Sequence, residues 1–319
     1  MGIIALVKKW SLLVSLCFGI AVYCLFASIP LLQPIGDVAG PFAVSLLPIV
    51  LFLLLYVTFC KIQIEDLCPR AWHFWLQAIR ICLSGLLVWV ITLTDDPTMK
   101  LILEGVFICV ICPTAAAAAV VTEKLGGSIA SMTIYTIIAN VVTSVIIPLF
   151  FPLVERSADI TFLVAMAAVL RNVTLVLVVP LVLALVSRKL IPRFTDKIRS
   201  MKNLGFYMWC FNLAIVSGLT FRNILHSSVA GETLFWLLML PLAVALVLFT
   251  IGKAVGRPYG DSVSAGQALG QKNTVVGIWL TVTFLNPLAA VAPGAYVLWQ
   301  NLINAWQIWY KEKYGELKW

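Results

Sequence analysis

Five polar residues near the C-terminal end of the chain are of types that bind ions or organic anions. They occur in the stretch GQALGQKNTVVG and are Gln267, Gln271, Lys272, Asn273 and Thr274. Their amide and hydroxyl groups donate and accept hydrogen bonds, and the ammonium of Lys272 can balance a negative charge or exchange a proton. The residues on both sides are apolar enough to cross a membrane. Because a charge is costly in such a segment, the pattern predicts a site that faces the protein interior.

The composition places this site inside an integral membrane protein. Of the 319 residues, 62% are hydrophobic and 11% are charged, which is too apolar for a soluble globule. Apolar stretches of about 20 residues recur along the whole length, so we predict one all-α polytopic membrane domain over 1–319. Its helices are expected to form ten spans, since the alternation of a membrane barrel is absent. The predicted spans are 10–30, 40–61, 72–94, 100–122, 128–154, 161–187, 203–222, 233–254, 262–285 and 289–310.

The distribution of basic residues predicts the orientation of the chain. One alternating set of loops, which includes the basic loop 188–202, contains most of the lysines and arginines, whereas the other contains only Lys100, Arg156 and Arg222. Basic loops remain in the cytoplasm, so both termini are expected there. The short loops favour a bacterial inner membrane. The net charge of +8 then reflects topology and contact with membrane lipid, and we predict no nucleic acid and no obligate protein partner.

The residue types that build enzyme and metal sites are scattered. The eight cysteines show no repeated metal-ligand spacing, and they are predicted to be buried apolar residues. His73 and His226 lie near the ends of predicted spans, which favours interfacial positions. We therefore predict no cofactor, no bound metal and no enzymatic activity, and an intramembrane enzyme is the weakest of the functional classes.

The order of the spans predicts an internal symmetry. The polar segment 155–160 separates five spans from five, so that 1–154 and 161–319 form two repeats. Because each repeat has an odd number of spans, the second must lie inverted relative to the first. Inverted repeats are the architecture of many secondary transporters.

The fourth span of each repeat is interrupted. Pro113 lacks an amide donor and clashes with the preceding helical turn, which predicts a break within 100–122. Gly266, Gly270 and Gly277 surround the polar residues within 262–285. Matching interruptions in two repeats predict a binding site near the middle of the membrane. For either segment alone, a simple kink or close helix packing is an alternative.

Five further polar residues are candidates for a cavity or for ion coupling. Arg80 and Arg171 lie well inside predicted spans, although a structural hydrogen-bond network is an equal alternative for Arg171. Glu123 follows the interrupted fourth span, where a solvated turn is the alternative. Asn301 and Asn304 place amides on the last span, where helix-to-helix hydrogen bonds are the alternative.

Extended motifs surround the two interruptions. They read CPTAAAAAVVTEKLGGSIASMTIYT from Cys112 and GQALGQKNTVVG from Gly266, and NPLAAVAPGAYVLWQNLINAW follows from Asn286. These motifs resemble the fourth, fifth, ninth and tenth helices of the bile acid:sodium symporter family. The resemblance implies broken helices 4 and 9 that cross in a core domain of helices 3–5 and 8–10. It also implies a panel domain of helices 1, 2, 6 and 7, with an organic anion carried between the domains by alternating access.

The same resemblance identifies sodium-ligand positions at which this chain departs from the family. A Ser-Asn pair after the Cys-Pro aligns with Ala118 and Ala119, whose methyl groups cannot coordinate a cation. Two hydroxyl positions of the fifth helix align with Met132 and Thr136, so that one hydroxyl remains. The acidic residue that serves both sodium ions in the family aligns with Gln267.

Lys272 is the largest departure. Gln271 is retained, but Gly270 stands where the family has methionine and Lys272 where it has asparagine. An ammonium at about 4 Å from a sodium ion would cost on the order of 4 kcal/mol at an effective dielectric constant of about 20. We therefore predict that the sodium sites are lost and that Lys272 takes the place of sodium. It could hold helix ends together, contact an anion or exchange a proton; an aqueous cavity or a carboxylate such as Glu123 is the alternative environment.

These observations predict a secondary active transporter of an organic anion, either bile-acid-like or a small carboxylate. Transport is expected to be independent of sodium, with proton linkage as the alternative coupling. The predicted transport site consists of residues from both motifs: Pro113, Thr114, Ala118, Ala119, Thr136, Gln267, Gln271, Lys272, Asn273 and Thr274. A non-transporting membrane sensor or regulatory protein on the same fold is one alternative. A conventional sodium-coupled symporter is another.

Overall fold

The computed structural model describes residues 10–155, 167, 171, 174–201, 203–229 and 231–317. These residues are almost wholly helical, and their only bridged pair outside helices is isolated, so the described ranges contain no β-strand. The all-helical class predicted from composition is confirmed. Most of the predicted span 161–187 lies outside the described residues.

The α-helices of the described residues are numbered in chain order. They are α1 (Ser11–Ser28), α2 (Gln33–Phe59), α3 (Ala71–Thr92), α4 (Pro97–Ile111), α5 (Ala118–Leu125), α6 (Ile129–Val154), α7 (Val179–Leu190), α8 (Pro192–Ser200), α9 (Leu204–Leu225), α10 (Gly231–Gly256), α11 (Ser262–Gly270), α12 (Thr274–Phe284) and α13 (Val291–Tyr314). A π-helical turn, Thr174–Val178, precedes α7, and 3-10 turns occupy Ile64–Asp66, Arg257–Tyr259 and Pro287–Ala290.

Among the described residues, six helices are long and apolar enough to cross a membrane, namely α1, α2, α3, α6, α9 and α10. Each of them corresponds to one of the predicted spans. The two spans predicted to be interrupted each consist of two shorter helices, α4 with α5 and α11 with α12. The last predicted span corresponds to α13. The protein therefore has the helices of a polytopic membrane protein.

Two features differ from the sequence-based expectation. Helix α2 begins at Gln33, earlier than the predicted start at 40, because Pro34 occupies the first turn, where its missing amide costs nothing. The basic loop 188–202 contains α8. This short helix has proline in its first turn and Lys197 and Arg199 in its last turn, where cations are favourable.

Helices α1 and α9 pack closely against each other. A Cβ atom at Gly19 would overlap the carbonyl oxygen of Ala214 and the hydroxyl oxygen of Ser217. On the opposite helix, a Cβ at Gly218 would lie 2.8 Å from the carbonyl oxygen of Gly19. Glycines at such a crossing allow the two backbones to approach, which is a common way for helices to associate in membranes.

This crossing gives a stability prediction. Substitution Gly19→Ala should force α1 away from α9 and lower the free energy of unfolding by about 1–3 kcal/mol, the usual cost of overpacking. The measurement is the Tm of the detergent-purified variant. Gly40→Ala is the matched control, because no atom lies within 4 Å of its added Cβ. Equal Tm values for the two variants would show that the close crossing is absent.

Candidate functional site

The interruptions between α4 and α5, at 112–117, and between α11 and α12, at 271–273, lie side by side. Thr114 and Lys272 form an isolated antiparallel bridge between them. The Thr114 hydroxyl also donates a hydrogen bond of 2.6 Å to the carbonyl of Ala268 in α11. The structure therefore brings together the two segments that the sequence marked as interrupted.

Backbone hydrogen bonds join the interruptions. The amide of Ala115 donates to the carbonyl of Gln271 at 3.0 Å, and the amide of Asn273 donates to the carbonyl of Pro113 at 2.8 Å. Buried backbone groups need partners. Each broken helix thus supplies partners that the other lost at its break, and the two breaks stabilise one another.

Lys272 is buried at the centre of this arrangement, with 1% of its surface exposed. Its Nζ lies 2.9 Å from the carbonyl oxygen of Val110 and 3.2 Å from that of Cys112, at the C-terminal end of α4. Helix C-termini carry partial negative charge, so an ammonium is favourable there. Glu123, the carboxylate considered as its partner, instead forms an ion pair of 2.9 Å with Lys61. Within the described residues no carboxylate forms an ion pair with Lys272.

Arg80 is a second buried cation at the same helix end, with 2% of its surface exposed. Its guanidinium donates to the carbonyl of Ile111 at 3.0 Å and to the hydroxyl of Thr143 at 2.6 Å. It also donates to Gln77 Oε1 at 2.7 Å and to the carbonyl of Ala139 at 3.1 Å. Arg80 therefore joins α3, α4 and α6.

The two cationic side chains donate hydrogen bonds to three consecutive carbonyls, those of residues 110–112. In an uninterrupted helix these groups would accept hydrogen bonds from the next turn, and Pro113 and the extended residues after it remove those donors. Lys272 and Arg80 supply charged donors in their place. Charge-assisted hydrogen bonds of this kind are stronger than neutral ones.

Helix α13 fixes the backbone of the second interruption. Gln300 Oε1 accepts a hydrogen bond of 2.8 Å from the amide of Lys272, and Gln300 Nε2 donates one of 3.3 Å to its carbonyl. The hydroxyl of Tyr296 donates to the carbonyl of Gly270 at 2.7 Å. Tyr296 was not among the predicted site residues, although its spacing of four from Gln300 places both on one helix face.

Further amides of α13 meet Gln267 on α11. Gln267 Nε2 lies 3.0 Å from Asn304 Oδ1 and 3.2 Å from Gln307 Oε1. Asn301 Nδ2 donates a hydrogen bond of 2.8 Å to the carbonyl of Val297 in its own helix. The structure thus joins Gln267 and Asn304, both predicted, and adds Gln307, which the sequence reasoning missed despite its spacing along the same face.

Three positions aligned with sodium ligands lie in an apolar cluster. Ala118, Ala119 and Met132 are buried together with Trp72 and Tyr135. Methyl and thioether groups offer a hard cation no oxygen ligand. The space around these positions is therefore packed with hydrocarbon and aromatic rings.

Of two other aligned positions, one keeps a hydroxyl and the other has no side chain. The hydroxyl of Thr136 donates to the carbonyl of Met132, one turn earlier in α6, at 2.7 Å. At Gly270 an added Cβ would overlap the ring of Phe249. The aromatic ring thus occupies the space beside the position where the family has methionine.

The remaining predicted residues have simpler environments. Asn273 caps α12, since its side chain accepts a hydrogen bond of 3.4 Å from the amide of Val276. Thr274 is the buried first residue of that helix. Arg171 is exposed, and its immediate neighbours lie outside the described residues.

A polar network that the sequence did not predict lies at the start of α3, α6 and α11. His73 lies in the first turn of α3, near the end of the span, and is fully buried. Its Nδ1 accepts from the amide of Arg70 at 3.1 Å, and its Nε2 lies 3.0 Å from the hydroxyl of Ser131. That hydroxyl donates to Asp261 at 3.2 Å, and the carboxylate forms an ion pair of 3.0 Å with Arg70. Partners distant in sequence explain why a polar residue near a span end is buried.

Comparison with known families accounts for this architecture. A model of the SBF-like CPA transporter family matches residues 16–303, nearly the whole chain, including both interruptions. The chain belongs to the SBF-like CPA transporter family. This family is related to the bile acid:sodium symporters, so the resemblance seen in the motifs is confirmed. No curated protein matches the chain significantly.

Membership of the SBF-like CPA transporter family indicates a membrane transporter, and the centre of this member is positively charged. Lys272 and Arg80 lie at the helix interruptions, and their described partners are neutral groups. In a medium of low dielectric constant these charges attract anions and repel cations. The arrangement can therefore bind or stabilise negative charge.

The role of Gln300 can be tested by stability. Gln300→Leu should leave the amide of Lys272 without a partner, whereas its carbonyl still accepts from the amide of Thr274 at 3.0 Å. The free energy of unfolding should fall by about 1–3 kcal/mol. The Tm of the purified variant measures the change. Gln63→Leu is the control, because Gln63 is exposed. An unchanged Tm for Gln300→Leu would contradict the contacts that fix Lys272.

Proposed function

We propose that this member of the family is a secondary active transporter of an organic anion, bile-acid-like or a small carboxylate, and that its transport does not depend on sodium. One observation carries the proposal: the buried ammonium of Lys272 binds the carbonyls of Val110 and Cys112 at the junction of the two interruptions. The ammonium of Lys272 belongs to the protein itself, and it lies at the position where a sodium-coupled transporter would need to bind a sodium ion.

The proposed architecture comprises ten transmembrane helices in two inverted repeats, 1–154 and 161–319. Helices 3–5 and 8–10 of this plan form the core domain, and helices 1, 2, 6 and 7 form the panel. Support comes from the matching positions of the two interruptions and from their mutual backbone hydrogen bonds. Alternating access would then be a movement of the panel against the core.

Sodium independence follows from the chemistry of the aligned positions. A sodium ion needs several oxygen ligands and gains from nearby negative charge. Ala118, Ala119 and Met132 provide none. The hydroxyl of Thr136 donates to the carbonyl of Met132, so its oxygen is the one side-chain ligand that these four positions offer. Gln267 brings no charge, and Lys272 brings a positive one. These residues do not fit a sodium ion.

Proton linkage is the coupling that this site supports. The ammonium of Lys272 binds the end of α4 through its positive charge as well as through its hydrogen atoms. Loss of a proton would remove that charge and weaken the contact with the helix end. Uptake and release of a proton could thereby change how firmly the two interruptions are held together.

For the orientation we propose that both termini are cytoplasmic and that the protein lies in a bacterial inner membrane. The positive-inside distribution of lysine and arginine supports this orientation. The last turn of α13 carries Lys311 and Lys313, and α8 carries Lys197 and Arg199. These residues would meet the anionic lipid of the cytoplasmic surface.

Flux measurements test the proposal directly. Purified protein in liposomes should take up carboxylates equally well in sodium and potassium buffers, and uptake should respond to an imposed pH gradient. Lys272→Ala and Lys272→Asn should reduce uptake by about tenfold or more, because both lose charge-assisted hydrogen bonds of about 1.5–3 kcal/mol each. Lys189→Ala is the control, since Lys189 is an exposed lysine.

Two results would contradict the proposal. Strict dependence of uptake on a sodium gradient would show that the conventional coupling is retained. Absence of uptake for every carboxylate, with protein that is folded and correctly inserted, would favour the membrane sensor or regulatory protein.

Alternating access also predicts a role for the ion pair between Lys61 and Glu123. Lys61 follows α2, in the proposed panel, and Glu123 lies on α5, in the proposed core. Lys61→Glu should destabilise the conformation in which this ion pair forms and in which Cys112 is buried. Labelling of Cys112 by a membrane-impermeant maleimide should rise about fivefold, the effect of about 1 kcal/mol. Peptide mass spectrometry measures the labelling.

A double charge reversal serves as the control for the same pair. Lys61→Glu combined with Glu123→Lys restores opposite charges and should return the labelling of Cys112 towards its original level. If the double variant is labelled as strongly as the single one, the ion pair does not hold the two domains together.

A further inference from the structure

A group of buried amides lies between α11 and α13, beyond the contacts already assigned to Lys272. This amide cluster consists of Gln267, Gln271, Asn301, Asn304 and Gln307, all with 0% of their surface exposed. Within the cluster, Gln267 Nε2 bonds to Asn304 Oδ1 and to Gln307 Oε1. Amides are rarely buried in such numbers without partners for both of their polar atoms.

Several amide atoms of the cluster have no hydrogen-bond partner among the described residues. The acceptors among them are Gln267 Oε1, Gln271 Oε1 and Asn301 Oδ1, and the donors are Gln271 Nε2, Asn304 Nδ2 and Gln307 Nε2. Each of these atoms is costly to bury without a partner. The cluster therefore requires a ligand that can satisfy them.

The balance of these atoms identifies the chemistry of that ligand. A cation would satisfy only the acceptors, and an anion only the donors. The unpartnered atoms are divided evenly between the two kinds. Water both donates and accepts, and buried water typically makes about three hydrogen bonds to such groups.

The amide side chains of α13 form a row along the helix. Gln300 binds the backbone of Lys272, and Asn304, Gln307 and Lys311 follow at spacings of three to four residues on α13. Gln300 and Gln307 are separated by about 10 Å along the helix axis, at about 1.5 Å per residue. The amides thus lead from the interruptions towards the basic end of α13.

We propose that the amide cluster binds a chain of ordered water molecules between the helix interruptions and the basic end of α13. Water in this position gives the interior around Lys272 a route for proton exchange. Amide side chains do not titrate at neutral pH, so the proton would move along the water molecules. This role in proton exchange rests on the proposed function, whereas the binding of water does not.

One apolar variant of similar shape distinguishes a hydrated cluster from a dry one. Both amide atoms of Gln271 lack a partner among the described residues, so Gln271→Met removes hydrogen bonds only if water is bound, and it should then lower the Tm by about 2 °C or more. If the cluster is dry, the same change removes unsatisfied polar groups and raises the Tm. An unchanged or raised Tm overturns the proposal. Gln63→Met is the control at an exposed glutamine.

A second measurement uses the unmodified protein and does not depend on how the variants fold. A density map at a resolution that shows ordered water should contain water bonded to Gln271, Asn304 and Gln307. A map without water at these atoms overturns the proposal. If the map contains this water but carboxylate uptake does not respond to an imposed pH gradient, the water site is confirmed and proton linkage is rejected.

Discussion

The C-terminal end of α4 lies in the interior of the protein, and the carbonyls of residues 110–112 must find donors there. Pro113 and the extended residues after it remove the donors that the next helical turn would supply. Lys272 and Arg80 replace them with positive charge. A helix end buried within a membrane protein needs hydrogen-bond donors from the protein itself, and these two side chains supply them.

The rest of the site is arranged around that requirement. Gln300 accepts a hydrogen bond from the amide of Lys272, and the hydroxyl of Tyr296 donates one to the carbonyl of Gly270. The bridge between Thr114 and Lys272 aligns the two interruptions. Because charge comes from side chains of the protein, the positions that could hold an external cation are free to become apolar, as at Ala118 and Ala119. The proposed anionic substrate is consistent with a centre that carries two basic side chains.

Sequence reasoning predicted the features that local chemistry determines. A proline within an apolar span indicates a break, and a lysine among glutamines indicates a polar interior; the structure brings both to one place. It could not predict partners that are distant in sequence. Glu123 pairs with Lys61 rather than Lys272, and His73 is buried because Ser131 and Asp261 lie opposite it. Gln307 was missed because its amide is one of several along α13, and only packing shows which ones face Gln267.

The central claim is that the ammonium of Lys272 replaces a bound sodium ion. Equilibrium binding of radioactive sodium to the purified protein tests it without any knowledge of the substrate. We expect no saturable binding to the unmodified chain, and no change in binding with Gln271→Leu. Saturable sodium binding that Gln271→Leu abolishes would contradict the account.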